Sequence, residues 1–147
     1  PSTSIMTETT LGLVVARYYA SIAETMEESA REAVAERGAA VAETVDVPGA
    51  YDTPLAADRL ARRDNIDAVV VVGTIVSGDT DHDQVIGQAV AAKLADVSLD
   101  RDTPVTFGVS GPGQSGAEAR ERAEKGAEAA SAAVDLAEGL PAAEVAA

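Results

Sequence analysis

DAVVVVG, residues 67–73, is a nearly continuous apolar run, and it decides the fold class. Apolar and polar residues do not alternate within it, which predicts a strand buried on both faces, as in parallel sheets. Residues 11–16, 40–47 and 104–109 predict three further strands, of which the first and the last are nearly as apolar. We therefore expect a parallel sheet that is covered by helices on each side.

Two motifs predict helices that open with a capping box, in which a serine and a glutamate three residues later bind each other's backbone N–H groups. Ser21 and Glu24 predict the first such helix. Ser115 and Glu118 predict the second, at the start of one long alanine-rich helix that runs to about residue 138.

The other helices lie between the second, third and fourth strands. Thr53 before Pro54 predicts an N-cap with proline at the first helical position, for a helix to about residue 63. Apolar residues at helical spacing predict another helix over residues 85–94. Gly38 predicts the end of the first helix.

Strands and helices alternate, which predicts right-handed crossovers and helices on both faces of the sheet. The predicted fold is a single-domain three-layer α/β/α sandwich over residues 1–147, with a four-stranded parallel sheet in flavodoxin-like order. Residues 1–8 and 140–147 are predicted to be loosely held tails. Ligands of such folds bind at the loops that follow the carboxyl ends of the strands.

The charge of the chain excludes two classes of partner. The 147 residues include 25 acidic and 11 basic side chains, for a net charge of −14 with histidine neutral. This charge repels phosphate backbones and anionic lipid, so we expect no nucleic-acid and no membrane partner. Cysteine is absent, which excludes disulfides and thiolate metal sites. With no bilayer-length apolar run and no secretory signal pattern, we expect a cytoplasmic protein, either in a high-salt cell or of an ordinary acidic type.

The loops after the first two strands carry candidate ligand-binding side chains. Tyr18 and Tyr19 follow the first strand, where a tyrosine ring can stack on a flat ligand or pack over the sheet edge. Asp52 precedes the second helix, where its carboxylate can accept hydrogen bonds from ligand hydroxyls or cap the helix. The residues alone do not decide between these interpretations.

The loop after the third strand, residues 73–83, predicts an anion site. Gly78 permits close approach of the backbone, and the amides of Asp79 and Thr80 are expected to point from a helix N-terminus. His82 is the only histidine and falls in the first turn of that helix. It is either a solvated surface side chain or a group that moves protons near neutral pH.

Two other patterns are better explained without a ligand. An aspartate series beginning at Asp79 resembles the opening of a calcium loop, but Gln84 replaces the required glycine and Val90 the bidentate glutamate. GPGQSG, residues 111–116, matches the dinucleotide fingerprint, yet it follows the last strand and no strand comes after its helix. We interpret it as a turn leading into a helix.

Taken together, the loops resemble the lumazine synthase family over about residues 11–136. The resemblance rests on four motifs in order: VPGAYDTP at 47–54, GTIVSGDTDH at 73–82, FG at 107–108 and ERA at 121–123. The SGPG turn at 110–113 is similar to the archaeal branch of the family, which agrees with an acidic, halophile-type composition.

The resemblance implies an enzyme of riboflavin biosynthesis. The family joins 5-amino-6-(D-ribitylamino)uracil to 3,4-dihydroxy-2-butanone 4-phosphate, and it forms 6,7-dimethyl-8-ribityllumazine, phosphate and water without a metal or organic cofactor. By this resemblance His82 would move protons and Tyr18 would stack on the pyrimidine. Residues 74–76 would meet the uracil edge and residues 50–52 the ribityl chain, while Arg122 and the amides of residues 79–80 would bind phosphate. The implied substrate-binding residues are Tyr18, Ala50, Tyr51, Asp52, Thr74, Ile75, Val76, Asp79, Thr80, Phe107 and Arg122.

The family assembles as pentamers with the site between neighbouring chains, so Phe107 and Arg122 are expected to come from the adjacent chain. A free pentamer and a 60-subunit shell both remain open, and the region between the last two helical segments, which is short and lacks an obvious insertion, favours the shell. One alternative function is an archaeal-type riboflavin synthase of the same fold, and another is a non-catalytic flavin-binding or capsid protein. Arg122 together with residues 78–82 favours lumazine synthase over the first, because a riboflavin synthase needs no phosphate site.

Overall fold

The structure, a computed structural model, describes residues 8–143, so residues 1–7 and 144–147 of the predicted tails lie outside it. Four strands alternate with helices, and a short 3-10 turn, Ala50–Asp52, precedes the second helix. The elements are β1 Thr10–Ala16, α1 Ala20–Glu36, β2 Ala40–Val47, α2 Thr53–Ala61, β3 Ala68–Thr74, α3 His82–Arg101, β4 Val105–Ser110, α4 Gly116–Glu121 and α5 Lys125–Gly139. Within the described residues, no helix is both long enough and apolar enough to span a bilayer.

The four strands form one parallel sheet in the order β2-β1-β3-β4, which confirms the predicted fold class and strand order. Every residue of β3 is buried, and in β1 only Thr10 is partly exposed. These two strands occupy the centre of the sheet, where helices cover both faces. The continuous apolar runs therefore indicated burial on two faces correctly.

Alternate residues of the central strands point into two separate cores. Leu13 and Val70 belong to the core under α1 and α5, together with Met26. Val14 and Val71 belong to the core under α2 and α3. Because successive side chains of a strand point to opposite faces, one apolar run supplies both cores.

The first predicted capping box is wrong. The helix α1 begins at Ala20, its N-cap is Tyr19, and no side chain caps it. The Tyr19 carbonyl accepts a hydrogen bond from the Ala23 N–H at 2.9 Å. Ser21 therefore lies inside the first helical turn and is not at the N-cap position. The predicted end is confirmed, because Gly38 follows the helix with a φ of 71°.

The alanine-rich segment forms two helices rather than the single one predicted. Its start is confirmed: the Ser115 N–H donates to Glu118 Oε1 at 2.9 Å, and the Glu118 N–H donates to Ser115 Oγ at 3.1 Å. The helix then stops after Glu121, and Arg122 has the non-helical angles φ −106° and ψ 20°. The break allows α5 to pack closely on α1, whereas alanine composition reports helix propensity alone.

Candidate active site

A cleft of about 320 Å³ opens at the carboxyl ends of β1 and β3, beside the 3-10 turn and the start of α3. We call it the tyrosine cleft. It is lined by Tyr18, Tyr19, Gly49, Ala50, Tyr51, Thr74, Ile75, Val76, Gly78, Thr80, His82, Asp83 and Ile86. The predicted site residues that it brings together are Tyr18, Ala50, Tyr51, Thr74, Ile75, Val76, Thr80 and His82. They come from three separate loops, as expected for loops at one edge of a parallel sheet.

The rim of the cleft is formed by exposed tyrosine rings. Tyr18 is 76% exposed and Tyr51 is 68% exposed. The ring of Tyr19 meets that of Tyr18 edge to face, with centroids 4.9 Å apart and planes at 87°. Tyr19 also packs against the core under α1 and α5, so it supports Tyr18 from below. The residues alone made Tyr19 a candidate beside Tyr18, but the family resemblance implied a binding role for Tyr18 only.

The floor of the cleft is the end of β3. Thr74 is 6% exposed and Ile75 is 5% exposed, and Val76 is half-buried. The Ile75 N–H donates to the Ser110 carbonyl at 2.8 Å, which continues the pairing with β4 past the end of the strand. The floor is therefore a rigid backbone segment with little side-chain freedom.

The carboxylate of Asp52 is used locally. Its Oδ2 accepts the Gly49 N–H at 3.0 Å, and the Asp52 N–H donates to the Gly49 carbonyl at 3.0 Å. The N-cap residue of α2 is Asp52 and not the predicted Thr53. The Thr53 hydroxyl instead donates to the Ala50 carbonyl at 2.8 Å. The predicted cap at Thr53 is wrong for this reason. Asp52 caps the 3-10 turn and, among the described residues, is not part of the cleft lining.

The loop before α3 differs from the predicted anion site. His82 is the first residue of α3 and lines the cleft, as predicted. Asp81 is the N-cap, so Asp79 and Thr80 precede the helix and their amides do not belong to its first turn. Thr80 lines the cleft, whereas Asp79 is exposed outside it. The expected position of these two amides at the helix N-terminus is therefore wrong, because the helix starts only at His82, while their role as phosphate donors stays a prediction.

Asp83 is a buried carboxylate that fixes this loop. Its Oδ2 accepts the Gly113 N–H at 3.0 Å and the Ser77 hydroxyl at 3.1 Å. The Gly113 N–H, followed by the Ser77 hydroxyl, holds the pKa of Asp83 below its usual range, although burial acts in the opposite direction. The start of α3 is thereby attached to the turn after β4 through a charged group.

Arg122 lies in a different place from the tyrosine cleft. It lines a second cavity of about 340 Å³, which we call the arginine cavity. The lining of the arginine cavity comprises Val109, Ser110, Gly111, Glu121, Arg122, Glu124, Lys125 and Glu128. Lys125 adds a second cation there that the sequence analysis did not select. Phe107 is half-buried beside the core under α2 and α3, so one chain does not bring either Phe107 or Arg122 into its own tyrosine cleft.

Within residues 8–143, no group of three or more histidine and acidic side chains has an arrangement that could hold a metal ion.

A family model described as 6,7-dimethyl-8-ribityllumazine synthase matches residues 8–140. The chain belongs to this family. A protein of Halorubrum lacusprofundi named 6,7-dimethyl-8-ribityllumazine synthase is 70% identical over 130 residues, which cover 88% of this chain and 97% of that protein. One of the same name from Halobacterium salinarum is 69% identical, covering 90% of this chain and 99% of the relative. A third, from Methanocaldococcus jannaschii, is 41% identical over 91% of this chain and 95% of its own. The resemblance to the archaeal, halophile-type branch is confirmed.

Proposed function

We propose that the chain is the riboflavin-biosynthesis transferase that condenses 5-amino-6-(D-ribitylamino)uracil with 3,4-dihydroxy-2-butanone 4-phosphate. The observation that carries this proposal is the tyrosine cleft, in which residues from two family motifs meet the Tyr18–Tyr19 loop around one opening. The 70% identity to a protein named for this activity supports it over nearly the whole chain. The products are 6,7-dimethyl-8-ribityllumazine, phosphate and water.

The pyrimidine substrate fits the tyrosine cleft. The exposed face of Tyr18 stacks on the flat ring, and the backbone of Thr74, Ile75 and Val76 binds the polar ring edge. Stacking on an aromatic side chain contributes about 1–3 kcal/mol for a nucleobase-like ring. Ala50 and Tyr51 lie along the ribityl chain. Asp52 accepts a ribityl hydroxyl through Oδ1, since Oδ2 is held by the Gly49 N–H.

His82 moves protons in the reaction. The amine of one substrate attacks the ketone of the other, phosphate then leaves, and ring closure completes the lumazine. Each step transfers a proton near neutral pH, and imidazole is suited to that range. His82 is exposed and lines the cleft, so its side chain is accessible to a bound substrate.

The phosphate of the second substrate binds Arg122, with the amides of Asp79 and Thr80 as further donors. A guanidinium is a permanent cation whose fork of N–H groups matches phosphate. Local positive charge is needed because the chain carries −14 overall. Arg122 and Phe107 lie outside the cleft of their own chain, so we assign them to the cleft of a neighbouring chain. This assignment requires an oligomer, and we propose a pentamer that builds a 60-subunit shell.

A mixing experiment tests the shared site. Arg122→Ala chains and His82→Ala chains are each impaired, and the two are dissociated, mixed in equal amounts and reassembled. If a site combines His82 of one chain with Arg122 of the next, random cyclic assembly restores about one quarter of the clefts. If both residues serve the same chain's cleft, mixing restores no activity. Light scattering of the same samples distinguishes a pentamer from a shell.

The activity itself is tested by adding both substrates and following lumazine fluorescence. A riboflavin synthase would instead consume the lumazine alone, and a non-catalytic flavin-binding protein would bind lumazine without turnover. Either result would overturn the proposed function. We further propose a cytoplasmic location, with no cofactor and with neither a nucleic-acid nor a membrane partner.

A further inference from the structure

The turn between β4 and α4, residues 111–115, contains a buried glutamine that the proposed chemistry does not use. Gln114 is 2% exposed, and its side chain extends between Arg122 and the end of β3. We propose that Gln114 is a positioning residue, which holds the Arg122 guanidinium for phosphate and connects it to the floor of the tyrosine cleft. This inference rests on the phosphate-binding role that is proposed for Arg122.

The orientation of the Gln114 amide is determined at both ends. Arg122 Nη1 donates to Gln114 Oε1 at 2.8 Å. At the other end, Nε2 lies 3.2 Å from the Ile75 carbonyl oxygen and 2.9 Å from Thr74 Oγ1. A guanidinium only donates and a carbonyl only accepts, so a flipped amide would oppose like groups at both ends. Gln114 therefore presents a fixed acceptor to Arg122.

The amide belongs to a buried polar network. Gln114 Nε2 is 3.0 Å from Ser110 Oγ, and the hydroxyl oxygens of Ser110 and Thr74 are 2.7 Å apart. All three side chains are buried. A buried network whose members find partners is rigid, because any rearrangement leaves a polar group without one. Arg122 is thus hydrogen-bonded to a rigid buried side chain rather than to a mobile surface side chain.

The contact of Arg122 with an acidic side chain, Glu118, is too weak to hold the guanidinium in position. Arg122 Nη2 and Glu118 Oε2 are 3.8 Å apart, and their side chains are 50% and 52% exposed. An exposed pair at this distance contributes little and is screened by salt. The Gln114 amide is neutral and does not compete with phosphate for the positive charge of Arg122, so it is better suited to position the guanidinium.

Close packing fixes the turn that carries Gln114. Gly111 has a φ of 90°, and a Cβ there would lie 2.1 Å from the Ile75 carbonyl oxygen. A Cβ on Gly87 of α3 would lie 2.7 Å from Pro112 Cδ. The Gln114 carbonyl also accepts the Ser77 N–H at 2.8 Å. The turn is therefore held against both the cleft floor and α3.

The geometry connects two sites. Thr74 and Ile75 line the tyrosine cleft of their own chain, whereas Arg122 lines the arginine cavity. In the proposed pentamer, each Gln114 joins the pyrimidine floor of one site to the phosphate-binding arginine of the next. Sequence analysis did not find Gln114, because the GPGQSG motif was considered for its glycines alone.

The test is Gln114→Met, which keeps the length and burial of the side chain but removes both hydrogen-bonding ends. We expect the KM for the butanone phosphate to rise about tenfold, as loss of one hydrogen bond to a charged group predicts. The KM for the pyrimidine should change less than twofold, because the Ile75 N–H still binds the Ser110 carbonyl. Glu118→Gln, the matched control, keeps the oxygen that caps Ser115 and should leave both constants within twofold.

Two further measurements separate positioning from a general structural effect. In an Arg122→Ala background, Gln114→Met should no longer change kcat/KM for the phosphate substrate, whereas an equal loss in both backgrounds would overturn the inference. Calorimetry with inorganic phosphate should show the same tenfold loss of affinity in Gln114→Met. That readout decides the role of Gln114 even if the wild type forms no lumazine, which would overturn the proposed function instead. If Gln114→Met does not fold, Gln114→Asn, whose shorter amide cannot reach both ends, replaces it with the same expected split.

Discussion

The tyrosine cleft and the arginine cavity hold their functional side chains in opposite ways. Tyr18, Tyr51 and His82 are exposed, and the ring of Tyr18 has an edge-to-face contact with the ring of Tyr19. Arg122 instead donates to a buried amide that is itself bound on its far side. A stacking ring needs one open face, whereas a phosphate needs its cation at a fixed position. The two regions match these different requirements.

The difference shows which side chains must be held in position before a ligand binds. An arginine side chain carries about 2 kcal/mol of rotamer entropy, which a ligand would otherwise have to offset on binding. A tyrosine ring has two side-chain torsions and a non-directional contact, so a modest error in its position is tolerated. The buried polar contacts accordingly lie beside Arg122, whereas Tyr18 and Tyr51 are exposed to solvent.

The largest expected effect is the loss of Arg122. We expect Arg122→Ala to lower kcat/KM about 10³-fold, because truncating a charged partner of phosphate costs about 4 kcal/mol. His82→Ala should cost less, about 10²-fold, at the low end of proton-transfer catalysis, since amine–ketone condensation has some spontaneous rate. Steady-state kinetics with both substrates measure the two effects. An inactive His82→Ala beside an active Arg122→Ala would reverse this ranking.

Binding of the pyrimidine in the tyrosine cleft should depend on the ring of Tyr18 and not on its hydroxyl group. Tyr18→Ala is expected to raise the KM for the pyrimidine about tenfold, because one aromatic stacking contact is lost. Tyr18→Phe keeps the ring and should remain within twofold of the wild type. Both variants should leave the KM for the butanone phosphate unchanged. If Tyr18→Phe were as impaired as Tyr18→Ala, the hydroxyl rather than the ring face would be the binding group.

The contrast between the two regions also explains what the sequence could predict. His82 was singled out because it falls in the first turn of a predicted helix, whereas Thr74 was selected only through the resemblance to the family. The break after Glu121 was missed, because it depends on packing between α5 and α1 that alanine composition does not encode. Gln114 was missed for a similar reason, since its burial follows from the way a turn folds back on β3. Sequence motifs therefore indicated residues of the tyrosine cleft, whereas the contacts that hold Arg122 depend on the tertiary structure.

Asp83 connects the two regions, and its effect should depend on pH. The Gly113 N–H and then the Ser77 hydroxyl lower the pKa of Asp83 in the folded chain. The charged form therefore stabilises the fold fully above the ordinary carboxyl pKa of about 3.9, and this stabilisation is lost as pH falls through the lower, folded value. We expect Asp83→Asn to reduce the Tm at pH 7, with the difference from wild type shrinking below about pH 4. Thermal unfolding over this pH range measures it, and a difference that is constant or grows in acid would contradict the assignment.

The smallest expected effect concerns the capping-box motif, which the sequence contains once in each of the two regions. Ser115 caps α4, the helix that leads to Arg122, whereas Ser21 lies inside α1 on the tyrosine side and caps nothing. Ser115→Ala should lower the free energy of unfolding by about 1 kcal/mol, the usual contribution of a serine N-cap. Ser21→Ala places a better helix former at an exposed helical position, so it should be neutral or slightly stabilising. Denaturant unfolding of both variants measures the pair. Equal losses would mean that Ser21 caps α1 in solution and would contradict a helix start at Ala20.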